Sequence, residues 1–265
     1  FATDEFALNE KTDIQAGLRY NYFMIDADFS DNLPYYPLPY DKVEINNAAL
    51  SGSLGAVYRP NEKWVIKTNL GTAFRAPNVD DIGKVFDSEP GAVVVPNPEL
   101  DAEMAYNIDL GFAKLIKDII KFDLTGYYTI LENAMVRRDY TLNGVDSILY
   151  DGSQSKVQAI QNAAEARVYG LQVGLEVKFS RQFSWINDVN FQWGEEEMND
   201  GSVSPSRHAA PFFGVSRLNF ERKQSRLQFY VEYQGEVAHD DLSIEEQPKT
   251  EIYALDDKGN TFAPA

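Results

Sequence analysis

The chain has 265 residues, 44% of them hydrophobic, and its 24 Lys and Arg against 41 Asp and Glu give a formal net charge of −17. This acidic excess argues against a nucleic-acid partner, because binding to phosphates requires cationic surfaces. The sequence contains no cysteine, which excludes disulfides and thiolate metal sites.

Apolar and polar residues alternate along about ten stretches, a pattern that predicts β-strands of about ten residues. The first strand ends near Phe6 and Leu8, and the second covers about residues 14–24. The following strands pair as four hairpins: about 50–58 with 64–75, 106–112 with 120–128, 169–179 with 183–193, and 211–221 with 226–238. Short turns inside the hairpins therefore alternate with long connections between them.

Alternating short and long connections are typical of an antiparallel up-and-down transmembrane β-barrel, with short periplasmic turns and long extracellular loops. Aromatic residues lie on the apolar faces beside the short turns, as expected at a membrane interface; examples are Tyr58, Trp64, Phe112, Phe122, Phe179, Phe183, Trp185, Phe220 and Phe229. We therefore predict an all-β transmembrane barrel segment of about ten strands. The alternative is a soluble β-sandwich binding module, whose dry interior would be lined by Leu70, Phe122 and Leu175.

No apolar run is long enough for a transmembrane helix, and the mean hydropathy is −0.37. A low average is compatible with a barrel, because only every second residue of each strand faces lipid. About ten strands with two open edges would expose unpaired backbone, so we expect the chain to be a segment of a larger barrel.

Several motifs occur in an order that resembles the barrel of TonB-dependent outer-membrane receptors. They are Phe74-Arg75-Ala76-Pro77, Asn97-Pro98-Glu99-Leu100-Asp101-Ala102-Glu103, Asp109-Leu110-Gly111, Asn162-Ala163 followed by Gly170 and Glu176, and Arg207-His208-Ala209-Ala210-Pro211. Two positions depart from the family pattern. Ala102 stands where the family usually has Pro, and Asp109 where it usually has Glu.

The resemblance implies that residues 1–265 form part of a receptor barrel in the bacterial outer membrane, without the plug domain and without the last strands. Such receptors lie in outer-membrane lipid and take up a scarce nutrient, an iron–siderophore complex, cobalamin or a carbohydrate. They work with their own plug domain and the TonB complex. A passive porin or a surface adhesin is the alternative. No catalytic grouping appears, so we expect neither an enzyme nor a cofactor.

The motif residues are expected to have structural roles: Arg75, Pro77, Asn97, Pro98, Leu100, Glu103, Asp109, Gly111, Gly170 and Glu176. Proline cannot donate to a ladder, so the two prolines belong where a strand ends or begins. The glycines leave room where neighbouring groups approach closely. We expect Arg75, Glu103 and Asp109 to form a salt-bridge network at the rim rather than to bind a ligand.

Candidate ligand contacts lie in the long loops, which usually carry recognition. Tyr35, Tyr36 and Tyr40 stand in a proline-rich segment and could stack on a catechol or a sugar ring; equally, they could pack within an ordered loop. Arg137 and Arg138 are predicted just beyond a strand end, where they could attract an anion or complement the acidic loops. His208 and His239 lie in separate loops, which does not predict a metal site.

Overall fold

A computed structural model describes residues 1–31, 33–35, 38, 40–83, 85–89, 91–198, 200–206, 210–244, 246–247, 254–255, 258 and 261–262. Its strands are β1 (Ala2–Asn9), β2 (Thr12–Asp28), β3 (Lys42–Asn61), β4 (Trp64–Arg75), β5 (Phe86–Glu89), β6 (Ala92–Val95), β7 (Glu103–Ile116), β8 (Ile120–Asp139), β9 (Ser147–Tyr150), β10 (Ser153–Lys178), β11 (Phe183–Glu197), β12 (Val203–Pro205), β13 (Phe212–Arg222), β14 (Ser225–Gln234), β15 (Ala254–Leu255) and β16 (Thr261–Phe262). Helical segments are α1 (Val79–Gly83) and a 3₁₀ turn, His239–Asp241. Neither described helix is long and apolar enough to cross a membrane.

Ten of these strands form one antiparallel sheet in the order β1-β2-β3-β4-β7-β8-β10-β11-β13-β14. The ten-strand up-and-down prediction is therefore confirmed, and the sheet is a partial barrel with β1 and β14 at its ends. The connections at one end, which we call the short-turn end, are residues 10–11, 62–63, 117–119, 179–182 and 223–224. Lys117, Asp118 and Lys223 have positive φ values of 51°, 55° and 52°, as tight hairpin turns require.

The two faces of the sheet differ as an outer-membrane barrel requires. Leu70, Leu110 and Leu171 on the convex face are 48%, 61% and 45% exposed, whereas Lys67 and Lys121 line the concave face. Apolar side chains thus point outward and charged ones inward. The soluble-sandwich alternative is wrong, because Leu70 is exposed rather than sealed in a core.

Aromatic rings on the convex face form two bands. Near the short-turn end, Trp64 and Phe112 have ring centroids 6.3 Å apart, and Phe183 and Phe220 4.7 Å apart. Toward the opposite end, which we call the long-loop end, Tyr169 stacks on Tyr128 at 6.0 Å and on Trp193 at 5.9 Å. On β11 the bands are ten residues apart, about 25 Å along the barrel axis at a tilt of about 40°. This is the height of the apolar band that a membrane-spanning barrel presents to lipid.

Several strands are longer than predicted. β8 continues to Asp139 and β11 to Glu197, whereas β14 ends at Gln234 instead of extending to residue 238. A β-bulge shifts the β8–β10 register between Asn162 and Ala166, and Asn133 there has a φ of 56°. Because a bulge interrupts the two-residue alternation, the sequence pattern ends at the bulge, while the strand itself continues with its phase shifted.

At the long-loop end the sheet divides and encloses an apolar core, which we call the upper cluster. The β3–β4 ladder stops at Ser53 and Gly71, and the side-chain oxygen of Thr72 accepts the next amide, from Gly52, at 2.8 Å. Above this point β2 and β3 continue as a separate ribbon. The upper cluster consists of Phe29, Leu38, Val43, Ile45, Ile82, Val93, Val95, Leu100, Leu142, Ile148, Val157 and Ala159. β6 joins it by pairing parallel to β10, with Val93 opposite Val157.

Candidate functional site

The strand end at Arg75 is fixed by two acidic partners. The guanidinium of Arg75 lies 3.0 Å from the Asp81 carboxylate and 3.2 Å from that of Glu103. Glu103 is 6% exposed, and its second oxygen accepts the backbone N–H of Met135 at 2.5 Å. β8 continues past the beginning of β7 at this position, so the carboxylate replaces a missing ladder partner. The expected Arg75–Glu103 ion pair is therefore present.

Asp109 does not belong to this network, which corrects the prediction. The carboxylate of Asp109 instead accepts hydrogen bonds from Asn107 at 3.3 Å and Asn69 at 3.5 Å. Asn69 is its cross-strand partner, while Glu103 pairs with Arg75. Six residues of strand separate the two positions, about 20 Å, which is too far for direct contact.

The Asn-Pro-Glu-Leu motif ties the long connection 76–102 to β10. Buried Asn97 donates its side-chain amide to the Ile160 carbonyl at 2.8 Å, and Leu100 is 2% exposed in the upper cluster. Asn162 accepts the Asp101 amide at 2.7 Å and donates to its carbonyl at 2.9 Å. Pro77 and Pro98 both lie outside strands, as expected. The motif therefore adds to the attachment of the connection 76–102, which β6 also makes by pairing with β10.

Two motif glycines make room on the concave face. A Cβ on Gly111 would lie 2.8 Å from Cε of Lys67, and one on Gly170 would lie 2.6 Å from the hydroxyl of Tyr127. Both distances are shorter than a real Cβ contact, so only glycine fits without movement. Glu176, also on this face, is half-buried with its carboxylate 3.8 Å from the Lys178 ammonium.

The candidate ligand contacts are distributed over different environments. Tyr35 is 80% exposed, whereas the Tyr40 hydroxyl donates to the Pro96 carbonyl at 2.6 Å and its ring packs edge-on against Phe29. Burial, together with nearby Tyr140, raises the pKa of Tyr40. Tyr36 lies outside the described residues. Tyr40 thus packs against and hydrogen-bonds to the connection 76–102, whereas Tyr35 is accessible to solvent.

Arg137 and Arg138 lie inside β8 rather than beyond its end, which corrects their placement. They pair with Ile160 and Ala159 across the ladder, and Arg138 donates to the Glu197 carbonyl at 2.8 Å. Both remain at the long-loop end of the sheet. His208 lies outside the described residues. In the described part of the chain, no group of three or more His, Asp or Glu side chains is placed to hold a metal ion.

A concavity of about 1250 Å³ lies on the inner face between β8 and β14. Its upper part is lined by uncharged polar and aromatic side chains that we call the inner ledge: Tyr127, Gln172, Asn190, Gln192, Phe213 and Gln234. Asp123, Asp188 and Lys121 line it nearer the short-turn end. Sequence reasoning missed the inner ledge as a site. Its members occupy the polar positions of alternating strands, so the pattern placed them on one face without indicating their grouping.

Comparison with known proteins connects this architecture to one family. The family model described as TonB dependent receptor-like, beta-barrel matches residues 1–254. A search of curated proteins gave no matching sequence.

Solved structures with a similar fold agree with that match. The siderophore receptor PirA from Acinetobacter baumannii has a TM-score of 0.64 at 16% identity, over 88% of this chain and 32% of that one. The FrpB iron transporter from Neisseria meningitidis has a TM-score of 0.60 at 14% identity, over 98% and 34%. The copper transporter OprC has a TM-score of 0.62 at 14% identity, over 86% and 33%. The chain thus spans about a third of these proteins, and at such identities the likeness concerns the fold.

Proposed function

The chain belongs to the TonB-dependent receptor β-barrel family, and on that premise we propose that it forms part of the wall of a nutrient-uptake receptor in the bacterial outer membrane. The family match over residues 1–254 is the observation that carries the proposal. The outward apolar face and its two aromatic bands support contact with outer-membrane lipid. The family consists of receptors rather than enzymes, so we propose no catalytic role.

Uptake is a property of the full-length protein in this proposal. The chain covers 32–34% of receptors such as PirA and FrpB, so the plug domain and the contact with the TonB complex are assigned to the whole receptor. The wall described here would surround the plug and carry recognition at the long-loop end. The proposed ligand contacts at that end are exposed Tyr35 together with Arg137 and Arg138. Tyr36 and Tyr40 also remain proposed contacts.

The nutrient itself is proposed only as a class. The similar structures include a siderophore receptor, an iron transporter and a copper transporter, so one scaffold accommodates different cargoes. An iron–siderophore complex, cobalamin and a carbohydrate all remain candidates for the full-length receptor.

Uptake measured in the source bacterium tests the proposal. We expect deletion of the receptor gene to abolish uptake of one radiolabelled nutrient from this set at nanomolar concentration, and removal of TonB to have the same effect. Re-expression of the intact gene should restore uptake. Uptake that depends on the receptor but continues without TonB would instead favour the passive-porin alternative.

A further inference from the structure

We propose that a cleft on the convex face at the short-turn end binds the phosphodiester group of an anionic phospholipid from the periplasmic leaflet. We call it the lysine cleft; it has a volume of about 380 Å³ and is lined by Asn61, Glu62, Lys63, Trp64 and Lys114. This volume is within the range of small-molecule sites. The inference rests on the proposed outer-membrane placement of the wall and adds one class of lipid as a specific partner.

The lysine cleft lies outside the barrel lumen. Trp64 belongs to the aromatic band of the convex face, with its ring centroid 6.3 Å from that of Phe112. Lys114 is the cross-strand partner of Trp64 and follows Phe112 by two residues, so all three side chains point to the same face. A plug domain inside the barrel therefore does not cover them. Because the short turns face the periplasm in the proposed orientation, this level of the wall meets the headgroups of the inner leaflet.

An aromatic ring holds Lys114 at headgroup level. The Lys114 ammonium lies 4.4 Å from the centroid of the Trp64 ring, which is a cation–π contact. The aliphatic part of a lysine packs along apolar surface while its charged end reaches the polar phase, and Lys114 is half-buried as this arrangement requires. The contact with Trp64 positions the ammonium before a lipid binds, which reduces the entropy lost on binding.

The turn that carries Lys63 is fixed from two sides. The backbone N–H of Lys63 donates to the Asn61 side-chain oxygen at 3.0 Å, and the Lys63 carbonyl accepts the backbone N–H of Leu115 at 2.8 Å. Since the Asn61 oxygen is occupied, the Asn61 amide nitrogen is left as a donor for a phosphate oxygen. Two ammonium groups and one amide donor therefore line the same cleft.

The cations of the lysine cleft lack the carboxylate partners found on the inner face. There, the Lys121 ammonium lies 2.9 Å from the Asp123 carboxylate. Among the residues that the structure describes, neither Lys63 nor Lys114 forms such an ion pair. Glu62 also lines the cleft, so two lysines and one glutamate give it a net charge of +1.

This charge favours a phosphodiester that carries one negative charge. Phosphatidylglycerol has that charge, and its binding neutralises the cleft, whereas zwitterionic phosphatidylethanolamine leaves the cleft positive. Phosphomonoesters, as in lipid A or inorganic phosphate, carry a charge of about −1.5 to −2 at pH 7, and the excess would lie beside Glu62, where like charges repel. The cleft therefore selects an anionic diester, and the acyl chains of that lipid would lie on the apolar convex face.

Native mass spectrometry of the full-length receptor released from detergent tests the proposal, because it resolves individual bound lipids. The probes are phosphatidylglycerol, phosphatidylethanolamine with the same acyl chains, lipid A and inorganic phosphate. We expect phosphatidylglycerol to bind at least about fivefold more tightly than phosphatidylethanolamine. Excess inorganic phosphate should not displace it, since the acyl chains add apolar burial that phosphate lacks.

The variant Lys63→Ala with Lys114→Ala should weaken phosphatidylglycerol binding about tenfold or more. Arg181→Ala with Lys223→Ala is the matched control, because it removes the same charge from two exposed residues in other short turns. This control should change the affinity less than about twofold, since the two residues lie far enough from the cleft for salt to screen them. Glu62→Gln should strengthen binding about two- to fivefold, a gain that misfolding cannot produce.

Heat-modifiable electrophoretic mobility verifies that each variant is folded. Equal or tighter binding of phosphatidylethanolamine or lipid A, displacement by phosphate, equal losses in the two double variants, or no gain in Glu62→Gln would overturn the proposal. TonB-dependent uptake by a receptor without a preference for phosphatidylglycerol would overturn this inference while leaving the proposed uptake function standing. A receptor that binds phosphatidylglycerol in the cleft but supports no uptake would do the reverse.

Discussion

The glycine at position 170 provides a quantitative test of the barrel wall. A Cβ there would lie 2.6 Å from the Tyr127 hydroxyl and 2.8 Å from its Cζ, and closer still to the carbonyl oxygen of Phe191. The ring can move, but the carbonyl belongs to the β10–β11 ladder. Overpacking of this kind costs about 1–3 kcal/mol, and the gain from replacing a strand glycine offsets about 0.5–1 kcal/mol. Gly170→Ala should therefore lower the free energy of unfolding by about 1–2 kcal/mol.

Gly55→Ala is the matched control, because a Cβ on this inner-face glycine would meet nothing closer than 3.6 Å. We expect it to be neutral or slightly stabilising. The assay is urea unfolding of the full-length receptor folded in detergent, followed by tryptophan fluorescence. In a Tyr127→Ala background, Gly170→Ala should cost less than in the wild-type protein but still more than zero, because the Phe191 carbonyl remains. Equal unfolding free energies for the two glycine variants would refute the close approach at position 170.

Three further outcomes are expected. Leu218→Arg, about 13 Å above the short turn on the convex face, should cost about 2–4 kcal/mol. Asn219→Arg on the inner face loses its hydrogen bonds with Ser184 and Gln228 and should cost less, about 1 kcal/mol. Equal costs in urea unfolding would contradict the assigned faces. Asn162→Ala removes the three hydrogen bonds of the Asn162 side chain. It should lower the free energy of unfolding by about 1–2 kcal/mol and increase proteolysis of the connection 76–102. Unchanged proteolysis would show that Asn162 does not anchor this connection. The pKa of Tyr40 is raised from 10.0, so Tyr40 keeps its proton in the folded protein at a pH where the unfolded chain has lost it. The free energy of unfolding should therefore fall above about pH 10, and it should fall less in Tyr40→Phe. Parallel pH profiles of the two proteins would count against burial of the phenol.

The predictable part of the fold is the part with local causes. Alternation of side chains along residues 64–75 or 169–179 is a two-residue pattern, and each hairpin turn joins adjacent strands. The upper cluster has no such local signal. Val93 pairs with Val157, 64 residues later, in a parallel arrangement, and a stretch of four apolar residues does not indicate its partner. The sequence pattern puts Arg137 beyond the strand because the bulge at Asn133 shifts the phase of β8.

The same reasoning explains why family membership was recognisable while the cargo was not. Arg75, Asn97, Leu100 and Glu103 act through contacts within the chain: an ion pair, an amide to a carbonyl, a buried side chain and a carboxylate in a broken ladder. These contacts require particular residues at particular spacings, so they are recognisable in the sequence as a motif. Inner-face positions such as Gln172 must only be polar and point inward, and many residues meet that condition. Recognition residues on this scaffold therefore have to be identified from their grouping in three dimensions, which the strand register supplies and the motifs do not.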